Sequence, residues 1–126
     1  MAQLKTVSTE KAPAAIGPYS QAIVCGEMVF TSGQIPINPA TGNVEAVTIE
    51  EQAEQVMKNL GAVLSAAGSD FTKAVKTTCF LANMGDFAAF NAVYAKYFTT
   101  KPARSCVAVK DLPKGVLVEV EVVASI

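Results

Sequence analysis

The stretch Leu117-Val118-Glu119-Val120-Glu121-Val122-Val123-Ala124 decides how this chain folds. Successive side chains on a strand point to opposite faces. Val118, Val120 and Val122 therefore share one face, and Leu117, Glu119, Glu121 and Val123 share the other. The all-valine face suits a covering layer of helix. Upstream, Pro102-Ala103-Arg104-Ser105-Cys106 opens a second strand that runs into Val107-Ala108-Val109. There Ser105, Val107 and Val109 share a face, with Arg104, Cys106 and Ala108 opposite. If the valines of both strands meet the helices, Arg104, Cys106 and Glu119 lie together on the helix-free face. That face also carries Leu117 and Val123, so self-association is the economical way to cover it, with small polar pockets between subunits.

The remaining chain supplies the other elements. Leu4 to Val7 reads as a short strand, and Lys11 to Pro18 as an Ala/Pro/Gly-rich loop. Ala22–Val24 and Met28–Thr31 read as a hairpin about Cys25-Gly26-Glu27. The run SGQIPINPATGN (32–43) is loop, because its prolines and glycines fit turns and not a sheet centre. Thr48 with Glu51 forms a capping box, and Ile49, Ala53, Val56, Met57, Leu60, Val63, Leu64 and Ala67 follow as a helical stripe ending at Gly68. Gly61, inside that helix, is expected to permit close packing against a sheet. Lys73 to Ala82 is rich in β-branched residues and reads as a longer strand. Asp86 to Phe98 reads as a second helix whose aromatic stripe (Phe87, Phe90, Tyr94, Tyr97, Phe98) is core packing. The order β, β, β, α, β, α, β, β implies an α+β fold in one domain, 1–126, with both helices on one sheet face.

Composition narrows the function. The 126 residues are 51% hydrophobic with a formal charge of -1, and no basic stripe offers a nucleic-acid surface. There is no apolar run long enough to span a membrane and no leader-like segment at MAQLKTVSTEKAPAA, so a cytoplasmic location is expected. Cys25, Cys79 and Cys106 form no CxxC pair, and with no histidine there is no zinc set. No nucleotide-binding glycine motif occurs, so no nucleotide cradle is expected. Any acid–base chemistry must run without imidazole.

Arg104 offers a rigid fork of donors suited to a small carboxylate, or a structural salt bridge to Glu119 or Glu121. Glu119 is a candidate to position or activate water, and Glu121 offers the same case by its parity. Cys106 lacks a histidine partner, so a role through its backbone fits better than covalent attack. Asn91 falls near the polar side of the second helix, where solvent or a helix–loop bond would also suit it. Ser32 and Gly33 could present a hydroxyl and an N–H to a ligand or serve only the turn. Tyr19 could line a pocket or plug a loop.

These segments together resemble the Rid family, the reactive intermediate deaminases that hydrolyse imines and enamines. The likeness is carried by APAAIGPYSQA (12–22), FTSGQIPINPATG (30–42), QAEQVMKNLGAVLSAAG (52–68), VKTTCFLANMGDFAAFNAVY (75–94), PARSCVAV (102–109) and LPKGVLVEVEVVA (112–124). It spans nearly the whole chain and extends to the imine-deaminase branch that keeps the arginine. The resemblance implies a chorismate-mutase-like fold, a mixed sheet backed by two helices, with three chains closing a central barrel. It implies active sites between subunits of a homotrimer, no cofactor, and coupling to pyridoxal-phosphate dehydratases acting on threonine or serine. Arg104 would hold the carboxylate of 2-iminobutanoate or 2-iminopropanoate, and Glu119 the attacking water. Cys106 would contribute contacts largely through its backbone, with Tyr19, Ser32, Gly33 and Asn91 shaping the pocket. The Thr99-Thr100-Lys101 link is shorter than in many relatives, and lysine precedes proline where an aromatic is common. Competing readings are the endoribonuclease or translation-inhibitor role carried by some family members, a chaperone-like or ligand-binding trimer without turnover, and a packing module.

Overall fold

Six strands join one mixed sheet in the computed structural model, which describes residues 3–126. Met1 and Ala2, the start of the segment read as lacking a leader, lie outside the described residues. The strands are β1 (Leu4–Val7), β2 (Ala22–Cys25), β3 (Met28–Thr31), β4 (Ala74–Leu81), β5 (Ala103–Ala108) and β6 (Val118–Ser125). The helices are α1 (Ile49–Ala66) and α2 (Phe87–Tyr97). The sheet order is β1-β2-β3-β6-β4-β5, antiparallel throughout except for the β4–β5 pair.

β6 lies mid-sheet, and its alternation is the one read from sequence. Val118, Val120, Val122 and Ala124 are buried, while Glu119, Glu121, Val123 and Ser125 are half-exposed on the other face. α1 presents Ala53, Val56, Met57, Leu60, Val63 and Leu64 to the core, and Thr48 with Glu51 completes the capping box. α2 adds Phe90, Val93 and Tyr94 on the same side of the sheet. Gly61 departs from expectation: a Cβ there would lie 3.1 Å from the Phe71 ring, so it makes room for an aromatic side chain and not for a sheet.

The expected barrel is corrected by this topology. The sheet is open, with β1 and β5 as its two edges, and it does not close on itself. The mixed sheet backed by two helices stands. No described helix is long and apolar enough to cross a membrane.

Two buried amides hold the long loops at the end of the sheet. The Gln21 side chain, 3% exposed, accepts from the Thr9 N–H at 2.7 Å and donates to the carbonyls of Thr9 at 3.0 Å and Pro13 at 2.7 Å. Asn59 on α1 donates to the carbonyls of Ile35 at 3.1 Å and Ile37 at 2.9 Å, and Gln55 donates to its oxygen at 2.9 Å. Backbone carbonyls away from water need such partners. Asn59→Leu strands the Ile37 carbonyl, while that of Ile35 keeps the Ile37 N–H at 2.8 Å, and is expected to cost about 1–3 kcal/mol in urea unfolding. Thr48→Ala, which removes only an exposed cap, should cost about 1 kcal/mol.

Candidate functional site

The loops fixed by Gln21 and Asn59 border an open cleft of about 600 Å³ beside the open face of β6. Pro13, Ala14, Ile16 and Tyr19 form one wall, and Ser32, Gly33, Gln34, Ile35 and Ile37 a second. Pro113 and Lys114 close the third, in a turn where Lys114 is left-handed at φ 57°. Glu119 is the carboxylate on the floor.

Gly33 and Glu119 fit each other closely. A Cβ on Gly33 would stand 2.0 Å from Glu119 Oε2 and 2.8 Å from its Cδ, so the carboxylate occupies the space a side chain would take. Ser32 donates its hydroxyl to the Ser20 carbonyl at 2.6 Å, which ties the two walls together and commits its proton. Burial raises the Glu119 pKa above the usual carboxylate value, and the like charge of Glu121 adds to this. Glu121 lies two residues along the same face and does not line the cavity. The structure thereby separates two glutamates that parity left equivalent.

Arg104 lies elsewhere, and the expectation of a face shared with Glu119 is corrected. The parallel β4–β5 register sets Arg104 beside Thr77 and Cys106 beside Cys79, and both β4 residues are fully buried under the helices. Arg104 and Cys106 thus point to the helix side, while Val107 is 47% exposed on the open side. β5 is an edge strand, so its valines have no obligation to the core, and the aromatic face of α2 receives the arginine. The guanidinium carbon sits 4.8 Å from the Tyr94 ring centroid and 5.4 Å from that of Phe87. Its Nη1 donates to Asn91 Oδ1 at 2.7 Å. Among the described residues it has no carboxylate partner, the one ion pair being Lys96–Glu54 between the helices. The salt bridge to Glu119 or Glu121 therefore does not form within the chain.

The candidates divide into two groups. Tyr19, Ser32, Gly33 and Glu119 line the cavity; Asn91, Arg104 and Cys106 cluster at the β5 edge against α2. Cys106 is no ready nucleophile, because burial raises its pKa and outweighs the lowering by Arg104. Burial likewise pushes Cys79 up to about 12. Cys79 is buried, and Cys25 is half-buried. The short link holds Lys101 left-handed at φ 56° and delivers Arg104 to its place opposite Thr77. Sequence reading assigns Phe87 and Tyr94 to packing alone. Their spacing with Asn91, at i, i+4 and i+7, is the signal that one helix face meets Arg104. Among the described residues no cluster of three or more metal-ligating side chains occurs.

A family model described as Endoribonuclease L-PSP matches residues 9–126. The chain belongs to this family, the Rid (YjgF/RutC) proteins. It is 53% identical over 124 residues to the RutC family protein y4sK of Sinorhizobium fredii, covering 98% of each chain. It is 51% identical over 124 residues to the 2-iminobutanoate/2-iminopropanoate deaminase of Escherichia coli K12, covering 95% of this chain and 96% of that one. The crystal structure of E. coli TdcF with bound serine superposes with a TM-score of 0.92 at 42% identity, covering 97% of this chain and 98% of that one.

Two outcomes follow from the Gly33–Glu119 contact. Gly33→Ala should push the carboxylate toward water, returning its NMR-measured pKa toward the ordinary value while changing stability by less than about 1 kcal/mol. Glu119 releases its proton less readily folded than unfolded, so its contribution to stability declines as pH rises from the unfolded value through the raised folded one. Glu119→Gln should therefore melt higher than the parent at neutral pH, with the difference vanishing below about pH 4.

Proposed function

We propose that the protein hydrolyses small 2-imino acids, 2-iminobutanoate and 2-iminopropanoate, to 2-oxo acids and ammonia. The observation that carries this reading is the half-buried Arg104 guanidinium, held on two aromatic rings with most of its donors uncommitted and no carboxylate beside it. A planar cation so placed is suited to a carboxylate, which it can grip through two parallel bonds. The serine bound by TdcF and the activity named for the E. coli deaminase support a small amino- or imino-acid ligand.

Arg104 binds the substrate carboxylate, with Asn91 steadying the guanidinium and the Cys106 backbone bordering the ligand. Glu119 accepts a proton from a water as that water adds to the imine carbon. Glu119 returns that proton to the amine nitrogen of the carbinolamine, the C–N bond breaks as the hydroxyl oxygen forms the keto group, and the departing ammonia takes the hydroxyl proton, which leaves the carboxylate restored. Glu119 accepts that proton only when ionised, so activity should fall as pH drops and the carboxylate protonates. Positioned water and fixed charges suffice for so electrophilic a carbon, and no imidazole is needed. Tyr19, Ser32 and Gly33 shape the cavity around the water and the hydrocarbon tail. The substrate would come from pyridoxal-phosphate dehydratases acting on threonine or serine in the same compartment, the cytoplasm.

Arg104 and Glu119 lie on opposite faces of one sheet, so one small ligand reaches both only if they come from different copies. We place the site between neighbouring subunits of a homotrimer, the stoichiometry the resemblance implies. Arg104→Ala and Glu119→Gln should each abolish faster decay of the imine formed by a threonine dehydratase. Mixed and allowed to exchange subunits, the two inactive variants should regain roughly a quarter of the parental activity, since some sites then pair an intact arginine with an intact glutamate. No recovery on mixing would place both residues of each site in one chain. Parent protein that binds 2-oxobutanoate without accelerating imine decay would be a ligand-binding trimer instead.

A further inference from the structure

Resting on the reading of Arg104 as a carboxylate clamp, we infer that Tyr94 is a positioning residue for Arg104, its ring the platform that sets the orientation of the guanidinium. An arginine side chain has many rotamers, and a bidentate grip needs one of them. Asn91 fixes a single nitrogen, at 2.7 Å, which leaves the plane of the fork free to tilt. The Tyr94 ring, 4.8 Å from the guanidinium carbon, and Phe87, 5.4 Å away, remove that freedom while leaving the fork's edge open.

The platform is itself immobilised from three sides. The Tyr94 hydroxyl lies 2.7 Å from Thr77 Oγ1, and Thr77 is the β4 residue directly beside Arg104 in the register. The ring stacks on Phe98, with centroids 4.5 Å apart at 26°, and tilts against Phe90 at 5.7 Å. One hydrogen bond therefore couples the ring under Arg104 to the strand position next to it. Apolar rings also thin the water around the guanidinium, which strengthens its pull on an anion. A buried tyrosine hydroxyl needs a partner in any role; the contact with the cation is what core packing alone would not require.

The test uses 2-oxobutanoate as the probe carboxylate, titrated by calorimetry, alongside imine-decay kinetics. Tyr94→Leu should weaken 2-oxobutanoate binding about tenfold and raise KM to match, with kcat much less affected. Tyr94→Phe, which keeps the ring, should restore most of the affinity. A lower melting temperature in Tyr94→Leu with unchanged affinity would overturn the inference, as would an equal loss in Tyr94→Phe. Should Tyr94→Leu fail to fold, the ¹⁵N–¹H signal of Arg104 Nε in the parent decides. Ring-current displacement and slow rotation are expected, and a free-arginine signal would overturn the platform. Parent protein that binds no 2-oxobutanoate yet shows the displaced signal would refute the carboxylate reading and leave the ring contact standing, so the two failures are distinguishable.

Discussion

β6 has one face it can bury, and the rest of the molecule is registered to that choice. Sinking each of Val118, Val120 and Val122 under α1 and α2 contributes about 1.5–2 kcal/mol. A slip by one residue would instead drive Glu119 and Glu121 beneath the helices, where unpaired carboxylates are costly. β6 pairs with β3 on one side and β4 on the other, so its choice propagates in both directions. Through β3 it sets Val29 inward and Phe30 outward. Through β4 it buries Thr77, Cys79 and Leu81, and the parallel step to β5 then turns Arg104 toward α2.

Much of this is legible in the sequence. The hairpin, both helices, the capping box and the faces of β6 follow from alternation, helical spacing and turn residues. The face taken by Arg104 does not follow, for a physical reason. On a central strand the apolar side must be inside; on edge strand β5 both sides are partly wet, and Val107 tolerates exposure. Alternation along β5 therefore does not tell the inner face from the outer. The β4 residues Thr77, Cys79 and Leu81, paired with β6, do tell them apart. The cavity walls are equally hidden. Gln21 and Asn59 read as ordinary polar residues, and only the three-dimensional path of loops 9–13 and 35–37 makes them indispensable.

The sheet between Arg104 and Glu119 acts as an insulator. On a common face, within reach of each other, the two would attract, lowering the proton affinity of the glutamate and occupying the donors of the arginine. Held on opposite faces of a single chain, each keeps its charge unspent until a second copy and a ligand bring the two together. Glu119 feels only its burial and Glu121, and Arg104 feels aromatic rings and an amide. A chain without histidine can in this way keep a basic carboxylate and an anion-seeking cation on the same small frame.

The absence of a side chain at Gly33 has a consequence for sequences as well as for this molecule. Glu119 Oε2 stands 2.0 Å from where a Cβ would be, so a side chain at position 33 displaces the carboxylate from where it now rests. A chain with this fold that acquires alanine or serine at the turn must shorten or redirect the residue across from it. The bare backbone at Gly33 thus sets how deeply the carboxylate across from it can sit, although the two residues are separated by most of the chain.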